Sequence, residues 1–194
     1  MRLALYGGSF DPPHVGHLMV MAQVLGTARV DRLMMVPCFR HPFSKALSPF
    51  DQRMDMARAT AAIFDGHAEV SDIERRLGGD SRTLRTVKAI RDEHPGCRVV
   101  LVIGADLLAE TERWYGYAEL ATLVEFFVVG RVGYGDRDAT GRVLVPVPDV
   151  SSTEIRARVR RGESIEGLVP AAVADYVATA GLYRDAPAGE GSGA

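Results

Sequence analysis

The run RVVLVIG, residues 98–104, is apolar at every position from Val99 to Ile103. A strand with no polar face must be covered on both faces, which is the situation of a parallel sheet buried between helices. Similar runs occur at RLALYG (2–7), RLMMVP (32–37), AEVSDI (68–73), VEFFVVG (124–130) and VLVPV (143–147). Helical patterns separate them at 17–28, 49–64, 81–94 and near Trp114–Thr122, and two more, 151–161 and 170–181, close the chain. Strands alternating with helices predict an α/β fold, a Rossmann-like, doubly wound parallel sheet with helices on both faces. The runs 99–103 and 126–129 are expected to be its buried central strands. A chain of 194 residues suits one domain, here 1–184. The tail DAPAGEGSGA, 185–194, is small and polar enough to be expected disordered.

Ligands of such sheets bind beyond the carboxyl ends of the strands, at a topological switch point. The stretch GGSFDPPHVGH, residues 7–17, stands at the end of the first strand. Gly7 and Gly8 let backbone approach a bound group closely. Asp11-Pro12-Pro13 forces a fixed, non-helical turn. His14 and His17 then open a helix, and residues three apart share a helix face. Free N–H groups and the positive end of the helix dipole add to the two imidazoles. The combination predicts a phosphate cradle, although neither a P-loop nor a G-x-G-x-x-G fingerprint is present.

A second such start lies after the last strand, in DVSSTEIRARVRRG (149–162). Ser151 and Glu154 fit an S-x-x-E capping box. Ser152 and Thr153 add hydroxyls, and Arg156 lies one turn in, within reach of an anion at the helix tip. Two anion-ready helix starts at the ends of different strands suggest one polyphosphate gripped from two sides.

The formal net charge of −2 gives no basic field for nucleic acid. No apolar run is long enough for a membrane span and no signal peptide is visible, so a soluble, cytoplasmic protein without membrane partners is expected. Cys38 and Cys97 are expected to be reduced thiols. His14, His17, Cys38 and His41 are metal-ligand types, but Cys38 and His41 lie in a stretch without a tight knuckle, and no zinc site is expected. Lys45 is one of two lysines, against a background of arginine, and a lysine is not equivalent to arginine at a phosphate.

The chain resembles the nucleotidylyltransferase superfamily, and within it the bacterial nicotinate-mononucleotide adenylyltransferases. The resemblance is carried by GGSFDPPHVGH, by IGADLL with RWYGY downstream, and by VSSTEIRARVRRG followed by LVPAAVADYVATAGLY; it runs from Met1 to about Arg184. It implies transfer of an adenylyl group from ATP to nicotinate mononucleotide, with release of pyrophosphate, in NAD biosynthesis. Mg²⁺ would accompany the ATP phosphates, largely hydrated. His14 and His17 would hold those phosphates in the transition state, with Lys45 and Arg156 as further catalytic cations. Gly7, Gly8, Ser9, Phe10, Gly16, Gly104, Asp106, Ser151, Ser152 and Thr153 would complete the ATP site. His41, Lys45, Thr83, Trp114 and Arg131 would form the acceptor side, Trp114 stacking on the pyridine ring.

Three stretches depart from the family pattern. PCFRHPFSK stands where P-P-H-K is usual, Arg82 replaces an aromatic residue before Thr83, and GRVGY replaces PRPGY. All three fall on the acceptor side. They leave open nicotinamide mononucleotide, pantetheine phosphate or another phosphate ester as acceptor. A non-catalytic nucleotide-binding module is the alternative of a different class. The sequence is silent on oligomeric state, a homo-oligomer included.

Overall fold

The computed structural model describes residues 1–40, 46–105, 111–131 and 146–184. Among them, six strands form one sheet in the order β3-β2-β1-β4-β5-β6, every neighbouring pair parallel. The strands are β1 (Arg2–Gly8), β2 (Arg32–Pro37), β3 (Ala68–Val70), β4 (Arg98–Gly104), β5 (Val124–Arg131) and β6 (Pro146–Val147). The helices are α1 (Val15–Thr27), α2 (Phe50–Ala61), α3 (Ile73–Leu77), α4 (Thr83–Glu93), α5 (Tyr117–Leu123), α6 (Ser152–Arg160) and α7 (Ala171–Thr179). The expected α/β architecture is present. The five-residue α3 is an addition to it, too short to register as a hydrophobic period.

Side chains alternate across β1 and β4, so the two faces of the sheet feed separate cores. Ala4, Val100 and Val102 pack with Met21 and Val24 of α1 on one face. Leu3, Leu5, Val99, Leu101 and Ile103 pack with Leu84, Val87 and Ile90 of α4 on the other. β4 is buried from Val99 to Ile103, as its sequence requires. In β5 the expectation holds only at alternate positions: Phe127 and Val129 are buried, while Phe126 and Val128 are half-buried. The reason is position, since β5 lies one strand from the sheet edge, beside the short β6.

A third cluster sits away from the sheet. Met56 of α2, Ile155 of α6, and Val173 and Val177 of α7 are buried together with Ile165, Val169 and Leu182. It seats the C-terminal helices on α2. Between β1 and β4 the strand order reverses, so the crevice beyond Gly8 and Gly104 is the switch point.

On the opposite core face, the turn before α5 depends on Gly116. Its φ is +66°, and an added Cβ would overlap the Cδ2 of Leu84. Gly116→Ala is therefore expected to destabilise the fold by about 2 kcal/mol. Urea unfolding should show a lower midpoint with an unchanged slope.

Candidate functional site

The Asp-Pro-Pro turn delivers two imidazoles to the mouth of the switch point. His14 caps α1 in an extended conformation, and His17 lies in the first turn. Their ring centroids are 3.8 Å apart. The His14 amide donates a hydrogen bond of 3.0 Å to Nδ1 of His17. A ring nitrogen that accepts carries no proton, so this bond assigns the proton of neutral His17 to Nε2. His17 is thus held as a donor at the nitrogen farther from the backbone. Phe10 meets the His17 ring edge-on at 5.1 Å, and Tyr6 meets Phe10 at 5.5 Å. Gly16 leaves room for the arrangement: a Cβ there would stand 3.0 Å from Cε1 and Nδ1 of His14, and the ring would have to shift.

A cavity of about 200 Å³ opens beside the rings. Gly7, His14, Gly16 and His17 line one wall, and Val102, Ile103 and Gly104 at the end of β4 line another. Gly130, Val147 and Pro148 close it. The lining mixes apolar side chains and glycine backbone with the two histidine rings, so polar and apolar surface face the cavity about equally.

The second helix start meets the same turn. Ser152 Oγ donates to the Pro12 carbonyl at 2.8 Å, and Arg156 Nη1 donates to the Asp11 carbonyl at 2.7 Å. Ser151 caps α6 by accepting from the Glu154 amide at 3.2 Å. The reciprocal half of the expected capping box is not made, because the Glu154 carboxylate pairs with Arg161 at 3.0 Å. Thr153 accepts from Arg156 at 3.4 Å. The α1 start is also partly occupied, since the Val15 amide donates to the Leu168 carbonyl at 2.9 Å. The two motifs converge as expected, but several of their polar groups bind each other rather than standing open.

Residues 5–158 match the family model described as cytidylyltransferase-like. The chain belongs to that family. A relative from Anaeromyxobacter dehalogenans named "Probable nicotinate-nucleotide adenylyltransferase" is 43% identical over 186 residues, covering 94% of this chain and 97% of that protein. One of the same name from Myxococcus xanthus is 38% identical over 183 residues, covering 94% and 95%. Among solved structures, a Plasmodium falciparum nicotinic acid mononucleotide adenylyltransferase complexed with NaAD superposes with a TM-score of 0.77 at 22% identity, covering 94% of this chain and 97% of that chain. The same enzyme complexed with APC gives 0.75 at 21%, covering 94% and 96%. At that identity, both show likeness of fold.

Within this cytidylyltransferase-like fold, the remaining predicted residues fall as follows. Ser9 presents its carbonyl to Arg53 at 3.1 Å. The Phe10 ring is buried, folded back towards Gly8. Thr83 opens α4, and the neighbouring turn carries Trp114, half-buried against the core, and exposed Tyr115 beneath the Arg82 guanidinium at 5.9 Å. Arg131 ends β5 and pairs with Val147. His41, Lys45 and Asp106 lie outside the described residues. Among the described residues, no group of three or more His, Cys, Asp or Glu could hold a metal ion.

Three residues that organise the site were not singled out from sequence. Arg53 of α2, 1% exposed, donates to the carbonyls of Ser9, Cys38 and, at 2.9 Å, Ser48. Burial pulls its pKa down, and the Asp11 carboxylate is the first of the charges that hold it up. Glu74 of α3 accepts from the Phe39 amide at 3.0 Å, from the Ser81 hydroxyl, and from Thr86 of α4 at 3.2 Å. It thereby fixes the end of β2 against the start of α4. Tyr183 donates to Asp11 at 2.8 Å. An arginine in a helix and a glutamate before two arginines read as surface charges, so no local signal marks them.

Arg53→Ala would leave three partly buried carbonyls without their arginine donor and remove a buried positive charge that interacts with Asp11. A loss of about 3 kcal/mol is expected. Chemical unfolding of the variant measures it.

Proposed function

We propose that the protein is a nicotinate-nucleotide adenylyltransferase that takes ATP as its Mg²⁺ complex. The supporting observation is that the α6 start, through Ser152 and Arg156, binds the same Asp-Pro-Pro turn that carries His14 and His17 to the cleft at the switch point, in a chain whose relatives of about 40% identity carry that name. An acceptor phosphate oxygen attacks the α-phosphorus of ATP, the bond between that phosphorus and the bridging oxygen to the β-phosphorus breaks, and pyrophosphate leaves. No covalent enzyme intermediate is needed, and rate enhancement comes from alignment and neutralised charge.

In this reading the adenosine lies along Gly104, with Asp106 on the ribose side, and the triphosphate crosses His14 and His17. His17 donates from Nε2 to the phosphate oxygens as charge moves to the leaving group. Arg156 has further N–H groups beyond those on Asp11 and Thr153, and these are proposed, with the charge of Lys45, to neutralise the phosphates. Ser151, Ser152 and Thr153 frame the α6 amides around the phosphates. Acceptor recognition is proposed for Thr83 at the positive end of α4, for a carboxylate, and for Trp114, for the pyridine ring, with the charges of His41, Lys45 and Arg131 assigned to the mononucleotide.

The direct test is pyrophosphate release with ATP against a panel of acceptors: the acid and amide pyridine mononucleotides and pantetheine phosphate. The acid mononucleotide should be turned over best. Preference for another acceptor would replace the substrate assignment, and release with none would leave a nucleotide-binding module. His17→Ala is expected to lower kcat about a hundredfold or more with the fold retained, the loss of one transition-state donor. Trp114→Ala is expected to raise the acceptor KM with little change in the ATP KM. A rise confined to ATP would place the ring elsewhere.

A further inference from the structure

The catalytic turn is clamped by a residue 172 positions away. The Asp11 side chain, 2% exposed, accepts from Tyr183 Oη at Oδ1 and from the Ser48 amide at Oδ2, at 2.8 and 3.0 Å. Its backbone carbonyl is held separately by Arg156. Tyr183 itself sits at φ +64°, a left-handed conformation that a bulky residue adopts only when its surroundings impose it. Gly181 at +61° and the Leu182 amide bound to the Val177 carbonyl at 3.0 Å turn the chain off α7 so that the phenol faces inward. Burial, then the neighbouring Asp11 charge, pushes the phenol pKa far up, so it remains a donor.

We propose that Tyr183 is a positioning residue for adenylyl transfer: its hydroxyl, through Asp11, fixes the Asp-Pro-Pro turn from which His14 and His17 project. The inference rests on the adenylyltransferase reading for its kinetic consequence, but its geometric part does not. Between Asp11 and His14 lie only two prolines, with few torsions to absorb a shift. A displaced Asp11 therefore carries the His14 amide with it, and that amide holds the His17 ring. The Ser48 arm ties the same carboxylate to the segment before α2, so three separate stretches of chain meet on one carboxyl group.

A built-in control lies in the same C-terminal segment. Tyr176 of α7 donates to Asp55 of α2 at 3.1 Å, the same kind of bond at a place remote from the turn. The experiment compares Tyr183→Phe with Tyr176→Phe in the full chain. Steady-state kinetics, thermal midpoint and amide-plus-imidazole NMR are recorded for each. Phenylalanine keeps the ring packed against the Met56 cluster and removes only the hydroxyl, whose further contact is Met56 Sδ at 3.9 Å. Tyr183→Phe should lower kcat about tenfold with both KM values within about twofold. It should also shift the His14 amide and the His17 ring resonances. Tyr176→Phe should leave kcat and those resonances unchanged. In an Asp11→Ala background, Tyr183→Phe should have no further effect on kcat. The proposal is overturned if Tyr183→Phe leaves kcat and the His14 amide unchanged, or if both tyrosine variants lower kcat in step with their thermal midpoints. Should the protein release no pyrophosphate with any acceptor, the adenylyltransferase reading fails, while the NMR comparison still decides whether Tyr183 holds the turn.

Discussion

A single hydrogen bond, from the His14 amide to Nδ1 of His17, sets the chemistry of the cleft. It turns an ambivalent imidazole into a fixed donor, with its remaining N–H away from the backbone. A freely rotating histidine would offer either nitrogen and either charge state near neutral pH. Here the ring is oriented by the backbone that also starts the helix. In the proposed reaction this donor is set before a phosphate arrives, and pre-organised donors are usually the largest single contribution to catalysis.

That bond exists only if the His14 amide is where it is, and the amide is placed by tertiary contacts around Asp11-Pro12-Pro13. The turn is held by Tyr183 and Ser48 at the Asp11 carboxylate, by Arg156 and Ser152 at two carbonyls, and by Leu168 at the first helical amide. Four of these five contacts come from the last part of the chain. The satellite core of Met56, Ile155, Val173 and Val177 is what brings that part back to the sheet. The C-terminal helices therefore act on the site by clasping its turn as well as by covering the fold.

The layered architecture was legible because each face of a buried strand had to be apolar, as in Val99–Ile103. The histidine turn was legible because glycine, proline and paired histidines are rare together and each restricts the backbone. The α6 start was legible as a capped helix start expected to share a polyphosphate with that turn; the structure sets it against the turn itself, and its capping box forms only in half, with Glu154 paired to Arg161. Arg53, Glu74 and Tyr183 were not legible. Each works through neighbours distant in sequence, and each looks like an ordinary surface residue until the fold closes. The alternation of burial in β5 was missed for a related reason: a strand's sequence reports its hydrophobicity, whereas its distance from the sheet edge is settled by topology.

In the proposed reaction both helix starts face one triphosphate. A crystal structure with a non-hydrolysable ATP analogue measures this directly. Phosphate oxygens should lie within hydrogen-bonding distance of His17 Nε2, with the same phosphates against the start of the helix that begins at Ser152. Phosphates bound away from both would contradict it.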